Sequence, residues 1–172
     1  MSGGMMRLLI CGPHSSGKTT KLLEELLNDE EFILVDSTYE EKQKSILWKY
    51  ERFFDKVFDN LNFYLLRYLN EEDKIVGVNL SYPLERFLDT NDFHYFREFK
   101  ESISQVIKII KQNNFDKKYL IAFDEIPLSN EDLIAVSNFK RVILIPEDDC
   151  EKYKSYFDKI IYQEQIYQRP FY

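Results

Sequence analysis

Residues 11 to 20 read Cys-Gly-Pro-His-Ser-Ser-Gly-Lys-Thr-Thr (CGPHSSGKTT), and two of the chain's five glycines fall within them. A short apolar run, Arg7 to Cys11 (RLLIC), stands before this stretch; behind it Leu22, Leu23, Leu26 and Leu27 recur at helical spacing as far as Asn28-Asp29. The pattern predicts a strand buried on both faces, then a loop, then a helix. Glycines let the backbone of such a loop turn its N–H groups inward, and the helix start adds the positive end of its dipole, so the loop can surround a phosphate. Gly12, Pro13, His14, Ser15, Ser16, Gly17, Lys18 and Thr19 fit the spacing G-x-x-x-x-G-K-S/T in the context that gives it meaning. With Thr20 they are the candidate nucleotide-binding residues. Lys18 would reach the β and γ oxygens, and the Thr19 hydroxyl would ligate Mg²⁺.

Residues 12 to 19 resemble the Walker A motif of the P-loop NTPase superfamily. Tyr119 to Glu125 (YLIAFDE), an apolar strand ending in two acids, is similar to its Walker B motif. The resemblance implies ATP and Mg²⁺ as the bound species. Asp124 would meet the ion directly or through water, and Glu125 would accept a proton from the attacking water or hydroxyl. The candidate catalytic residues are therefore Lys18 and Glu125, and the candidate metal ligands Thr19 and Asp124. A glutamate directly after the Walker B aspartate resembles the division with an additional catalytic Glu, to which RecA-like ATPases, AAA+ proteins and viral packaging motors belong. That likeness implies a 5-1-4-3-2-like strand order, with Arg141 to Ile145 (RVILI) between the Walker A and Walker B strands. Those families often end the inserted strand in a polar sensor of the γ-phosphate. This chain has Pro146-Glu147-Asp148-Asp149 instead, which reads as a solvated turn.

Elsewhere Phe32 to Val35 (FILV) reads as a second buried strand, closed by Asp36-Ser37-Thr38, which could cap the next segment. From Tyr39 to Leu69 apolar residues fall at steps of three and four (Leu47, Tyr50, Phe54, Val57, Leu61, Tyr64, Tyr68), predicting one long helix or two shorter ones. Ile75 to Leu80 suggests a further strand, stopped at Tyr82-Pro83, and the stretch 70–92 is open between a strand with a loop and a lid. A helix is expected from about Asp92 to Gln112, and a last strand at Lys159 to Tyr162. Buried strands separated by helices predict a three-layer α/β/α fold with a mostly parallel sheet, in one domain over 1–172 with a helical insertion at about 39–92.

The 172 residues carry a formal charge of −7, which disfavours a broad nucleic-acid footprint without excluding a local basic groove. No apolar run approaches the roughly 20 residues of a membrane span, and no secretion signal is visible, so the chain reads as soluble and cytoplasmic. Cys11 and Cys150 read as small residues of a reduced protein, and with His14 and His94 they show no zinc spacing.

The expected activity is ATP hydrolysis by a compact RecA-like ATPase, with a homo-oligomer as a partner state and Arg141, Arg169, Arg52 and Arg86 as candidates for an arginine supplied to a neighbour. Gly12-Pro13, Ser16-Gly17-Lys18-Thr19-Thr20 and Leu22-Leu23 also resemble the opening of type II thymidine kinases, whose Asp-Glu dyad activates a sugar hydroxyl. That family usually carries a four-cysteine zinc site and a C-terminal lasso; the two cysteines here do not fit the first, and the stretch after the last expected strand reads as too short for the second. Phosphoryl transfer to a small molecule and a nucleotide-gated switch stay open as alternatives.

Overall fold

The computed structural model describes residues 6–13, 16–38, 44–147 and 149–164. Strand β1 (Met6–Cys11) alternates its side chains between two cores: Leu8 and Ile10 enter one, Leu9 and Cys11 the other. This two-sided burial explains why its sequence is a continuous apolar run and not an alternation. The same holds for β2 (Phe32–Asp36), β5 (Leu120–Asp124) and β6 (Arg141–Ile145), in which every residue is buried.

The sheet has seven strands among the described residues, in the order β3-β4-β2-β5-β6-β1-β7, with β3 at Lys56–Phe58, β4 at Ile75–Asn79 and β7 at Lys159–Tyr162. All pairings are parallel. All C-terminal strand ends therefore lie along one edge, where open parallel sheets build their binding sites. The strand Arg141–Ile145 separates β1 from β5.

One face is covered by α1 (Lys18–Leu26) through Leu22 and Leu26, and by the short α2 (Ile46–Lys49) through Ile46 and Leu47. The other is covered by α4 (Phe93–Gln112), whose Phe99, Ile103, Val106, Ile107 and Ile110 form the expected stripe, and by α6 (Asn130–Ser137) through Leu133 and Val136. The result is helix, sheet, helix in three layers. Asp92 begins α4 by accepting from the His94 amide at 3.0 Å, which satisfies one of the donors that a helix start leaves open. Among the described residues no helix is long and apolar enough to cross a membrane.

The helical insertion is corrected. Tyr39 to Gln43 fall outside the described residues, but from Ile46 to Leu69 there is no long helix. The chain makes α2, a 3₁₀ turn at Glu51–Phe53, strand β3, and a second 3₁₀ segment at Phe63–Tyr68. Acidic and amide side chains divert the backbone. Asp55 accepts from the Lys74 and Ile75 amides at 2.8 and 2.9 Å, tying β3 to β4, while Asp59 accepts from the Leu61 amide at 2.9 Å. Such local bonds offer the chain an alternative to the helix. The helical spacing there is largely fortuitous, since Tyr50, Leu61, Tyr64 and Tyr68 are exposed. Stretch 70–92 resolves into β4 and α3 (Ser81–Thr90), so Tyr82-Pro83 ends no element; Pro83 sits in the first turn of a helix, where its missing N–H costs little.

Candidate functional site

β1 ends at Cys11, and the loop beyond it turns on two glycines. Gly12 has φ +145°, and a Cβ there would stand 2.3 Å from the Gln163 carbonyl oxygen and 2.7 Å from Ser16 Oγ. Gly17 has φ +91° and opens α1. Both backbone conformations favour glycine, so the two motif glycines are required by geometry. His14 and Ser15 lie outside the described residues.

Three side chains of the loop and the first helical turn face the strand ends. Ser16 is buried, and its Oγ has no hydrogen-bond partner. Lys18 donates from Nζ to the Gly12 carbonyl oxygen at 2.9 Å, folding its ammonium back over the loop. Thr19 directs its hydroxyl at both carboxylate oxygens of Asp124, each at 3.4 Å, which is long for an O–H···O bond. Thr20 is exposed on the first turn. The structure thus brings Gly12, Ser16, Lys18, Thr19 and Asp124 together. Glu125 follows Asp124 at φ +56°, a left-handed conformation unusual for a glutamate. Its carbonyl accepts from Ser37 Oγ at 2.9 Å.

Asp36 was legible only as a cap, and it belongs to this site. It is the register partner of Asp124 on the neighbouring strand, and both carboxylates are fully buried. Asp36 Oδ1 accepts from the Thr38 amide and hydroxyl at 2.7 and 2.6 Å, and Oδ2 from Ser45 Oγ at 2.6 Å. Burial raises the pKa of Asp36 despite these bonds. Burial also holds the Asp124 pKa well above the ordinary carboxylate value, reinforced by the charges of Asp36 and Glu125 and opposed by Thr19 and Lys18. Two acids at the ends of adjacent buried strands were the available signal, but a polar triplet closing a strand is common and carried no pointer to Asp124.

The reading of Cys11 and Cys150 as free thiols is corrected. They form a disulfide across 139 residues of sequence, and no described cysteine is free. Parallel pairing of β1 with β6 carries the two into contact, so no sequence spacing could announce it. The bond lies in the wall of a cleft of about 270 Å³ beside the loop, which Lys18, Asp149, Glu151 and Tyr162 also line. Asp149 of the acidic turn accepts from the Glu151 amide at 3.1 Å and starts a 3₁₀ turn there; Asp148 is outside the described residues.

Among the arginines, Arg141 is buried at the start of β6, away from the loop edge, where it pairs with Asp29 and donates to the Lys118 carbonyl at 3.1 Å. It cannot reach a neighbour's nucleotide. Arg52 and Arg86 lie over the rings of Phe53 and Tyr95 at 5.0 and 5.4 Å, and Arg169 is outside the described residues.

Compared with protein-family models, with curated proteins and with solved structures, the chain matches none.

Proposed function

We propose that the chain is a Mg²⁺-dependent, ATP-binding P-loop NTPase that hydrolyses ATP. The observation that carries the reading is the approach of the Thr19 hydroxyl to Asp124, from a loop in which Lys18 Nζ folds back onto the Gly12 carbonyl. The strand order supports it: numbered by themselves, β7-β1-β6-β5-β2 read 5-1-4-3-2, with β4 and β3 added beyond.

The residues fit a metal-bound triphosphate. Among the described residues no three His, Cys, Asp or Glu converge into a cage. A hydroxyl opposite a carboxylate, completed by phosphate and water, is the usual way to hold Mg²⁺. Thr19 and Asp124 would hold the ion, which would supply neutralisation of charge on the phosphate oxygens. Lys18 would exchange the Gly12 carbonyl for the β and γ oxygens, keeping a charge-assisted bond throughout. The Ser16 hydroxyl would find in a phosphate oxygen the partner it lacks. Glu125 would orient the attacking water and take its proton, and the Ser37 bond to its carbonyl fixes the backbone from which it acts. Asp36, its oxygens engaged by Thr38 and Ser45, would add negative charge beside Asp124 that favours a cation there.

A second reading, transfer to a small-molecule hydroxyl, draws support from the likeness of Gly12-Pro13 and Ser16 to Thr20 to the opening of type II thymidine kinases. Exposed Phe53, Tyr64 and Tyr68 would offer apolar area to a homo-oligomer. Incubation with Mg·ATP alone and with a set of nucleosides separates the readings: free phosphate without acceptor supports hydrolysis, phosphorylated product supports transfer, and neither rules out both.

A further inference from the structure

Cys11 is the last residue of β1, and Gly12, the first motif glycine, follows it directly. The Cys11 carbonyl accepts from the Gln163 amide at 2.8 Å, and the residue is fully buried in the core beneath α4. Cys150, the more exposed partner, opens a 3₁₀ turn at Cys150–Lys152. That turn is anchored at its other end as well: Lys152 Nζ donates at 2.9 Å to the carbonyl of Leu128, on the chain that follows Asp124. The Cys11–Cys150 bond therefore joins the base of the glycine loop to a turn tied to the stretch beyond the Asp124 strand. Both cysteines line the cleft of about 270 Å³, together with Gly12, Pro13 and Lys18.

Two thiols need more room than one bonded pair of sulfurs, and a close-packed strand has none to give. Opening the bond therefore displaces atoms on the cleft side, where Gly12 and Lys18 stand. Holding a loop in its binding conformation raises affinity by reducing what must be ordered on binding, and cutting the tie does the reverse. We propose that the Cys11–Cys150 bond is a redox switch of nucleotide affinity: the oxidised chain binds Mg·ATP at least about ten-fold more tightly than the reduced one, a coupling of ordinary size. The inference rests on the NTPase reading of the glycine loop. The reductant is a dithiol. One of its thiolates attacks Sγ of the more exposed Cys150, the sulfur–sulfur bond breaks, and Cys11 leaves as a thiolate that takes up a proton. The second thiol of the reductant then displaces Cys150 from the mixed disulfide. The chain gains two electrons and two protons as a pair of thiols, and the dithiol becomes a disulfide.

Calorimetry of the full chain with Mg²⁺ and a non-hydrolysable ATP analogue, before and after treatment with dithiothreitol, measures the switch. Reduction should weaken binding by about ten-fold or more while circular dichroism shows the chain still folded. Cys150→Ser should bind as weakly as the reduced wild type and should not respond to dithiothreitol. Ile110→Ala is the control for stability: it opens a cavity near the end of α4 that leads into the start of β5, at the sheet edge opposite the loop. It lowers the melting temperature with the bond intact and should bind as the oxidised wild type does. By reciprocity, saturating analogue should make the bond harder to reduce by the same factor, a fall in its midpoint potential of about 30 mV per ten-fold. Equal affinity in the two redox states, a midpoint that ignores the analogue, or a reduced chain that unfolds at the assay temperature would each overturn the switch and leave the NTPase reading standing. Absence of binding in both states would overturn the two together.

Discussion

Asp36 and Asp124 stand side by side as register partners at the ends of β2 and β5, both buried, with Thr19 facing the second of them across the sheet edge. Two carboxylates in that position are a liability to the folded chain and an asset to a cation site. Burial raises both pKa values. A carboxylate whose folded pKa exceeds its unfolded one makes the native state the stronger proton binder. Its contribution to stability is then largest below the ordinary carboxylate range and is lost as pH rises through the raised folded value.

Asp124→Asn should therefore stabilise the nucleotide-free protein at neutral pH while abolishing Mg²⁺-dependent turnover. A gain of about 1 kcal/mol, at the low end for relief of a buried charge, corresponds to about 2–4 °C in a chain of this length. Melting curves from pH 4 to 8 check it: the variant should lose part of the wild type's decline with rising pH. A variant less stable than wild type across that range would show that the carboxylate is needed for packing.

Glu125→Gln should keep Mg·ATP affinity within about three-fold and lower turnover by roughly 10²-fold or more, the usual cost of losing a general base. The amide keeps the shape of the side chain, so the left-handed backbone at φ +56° and its Ser37 bond should survive. Single-turnover phosphate release measures the effect. Unchanged turnover would move the proton acceptor to another residue.

Reduction of the Cys11–Cys150 bond should destabilise the protein by about 2–5 kcal/mol, because the bond closes a loop of 139 residues in the unfolded chain. Melting with and without reductant would show a fall of about 5–15 °C, and Cys150→Ser should match the reduced wild type. Two titratable thiols in the unreduced native protein would contradict the pairing.

The glycine turn between β1 and α1, α4 and the buried strands β1, β2, β5 and β6 were legible in the sequence because turn residues and apolar spacing mark each of them. Leu22 and Leu26 announce a helix, and FILV and YLIAF announce strands buried on both faces. Strand β3 was hidden because three residues, Lys56–Phe58, are too few for a period, and the aromatic spacing around them imitates a helix. The part Asp36 plays beside Asp124 was hidden for another reason. It depends on the pairing of β2 with β5, a relationship between residues 88 positions apart in the chain.

The glycine loop before Thr19 is proposed to cradle a triphosphate opposite Asp124. Thermal melting of the wild type and Lys18→Ala with saturating Mg·ATP tests it most directly. At about 100 times the dissociation constant the wild type should gain about 2.7 kcal/mol, or about 5–10 °C, and Lys18→Ala should gain little and release no phosphate. A wild type whose melting temperature ignores Mg·ATP, or a Lys18→Ala protein that responds equally, would contradict the account.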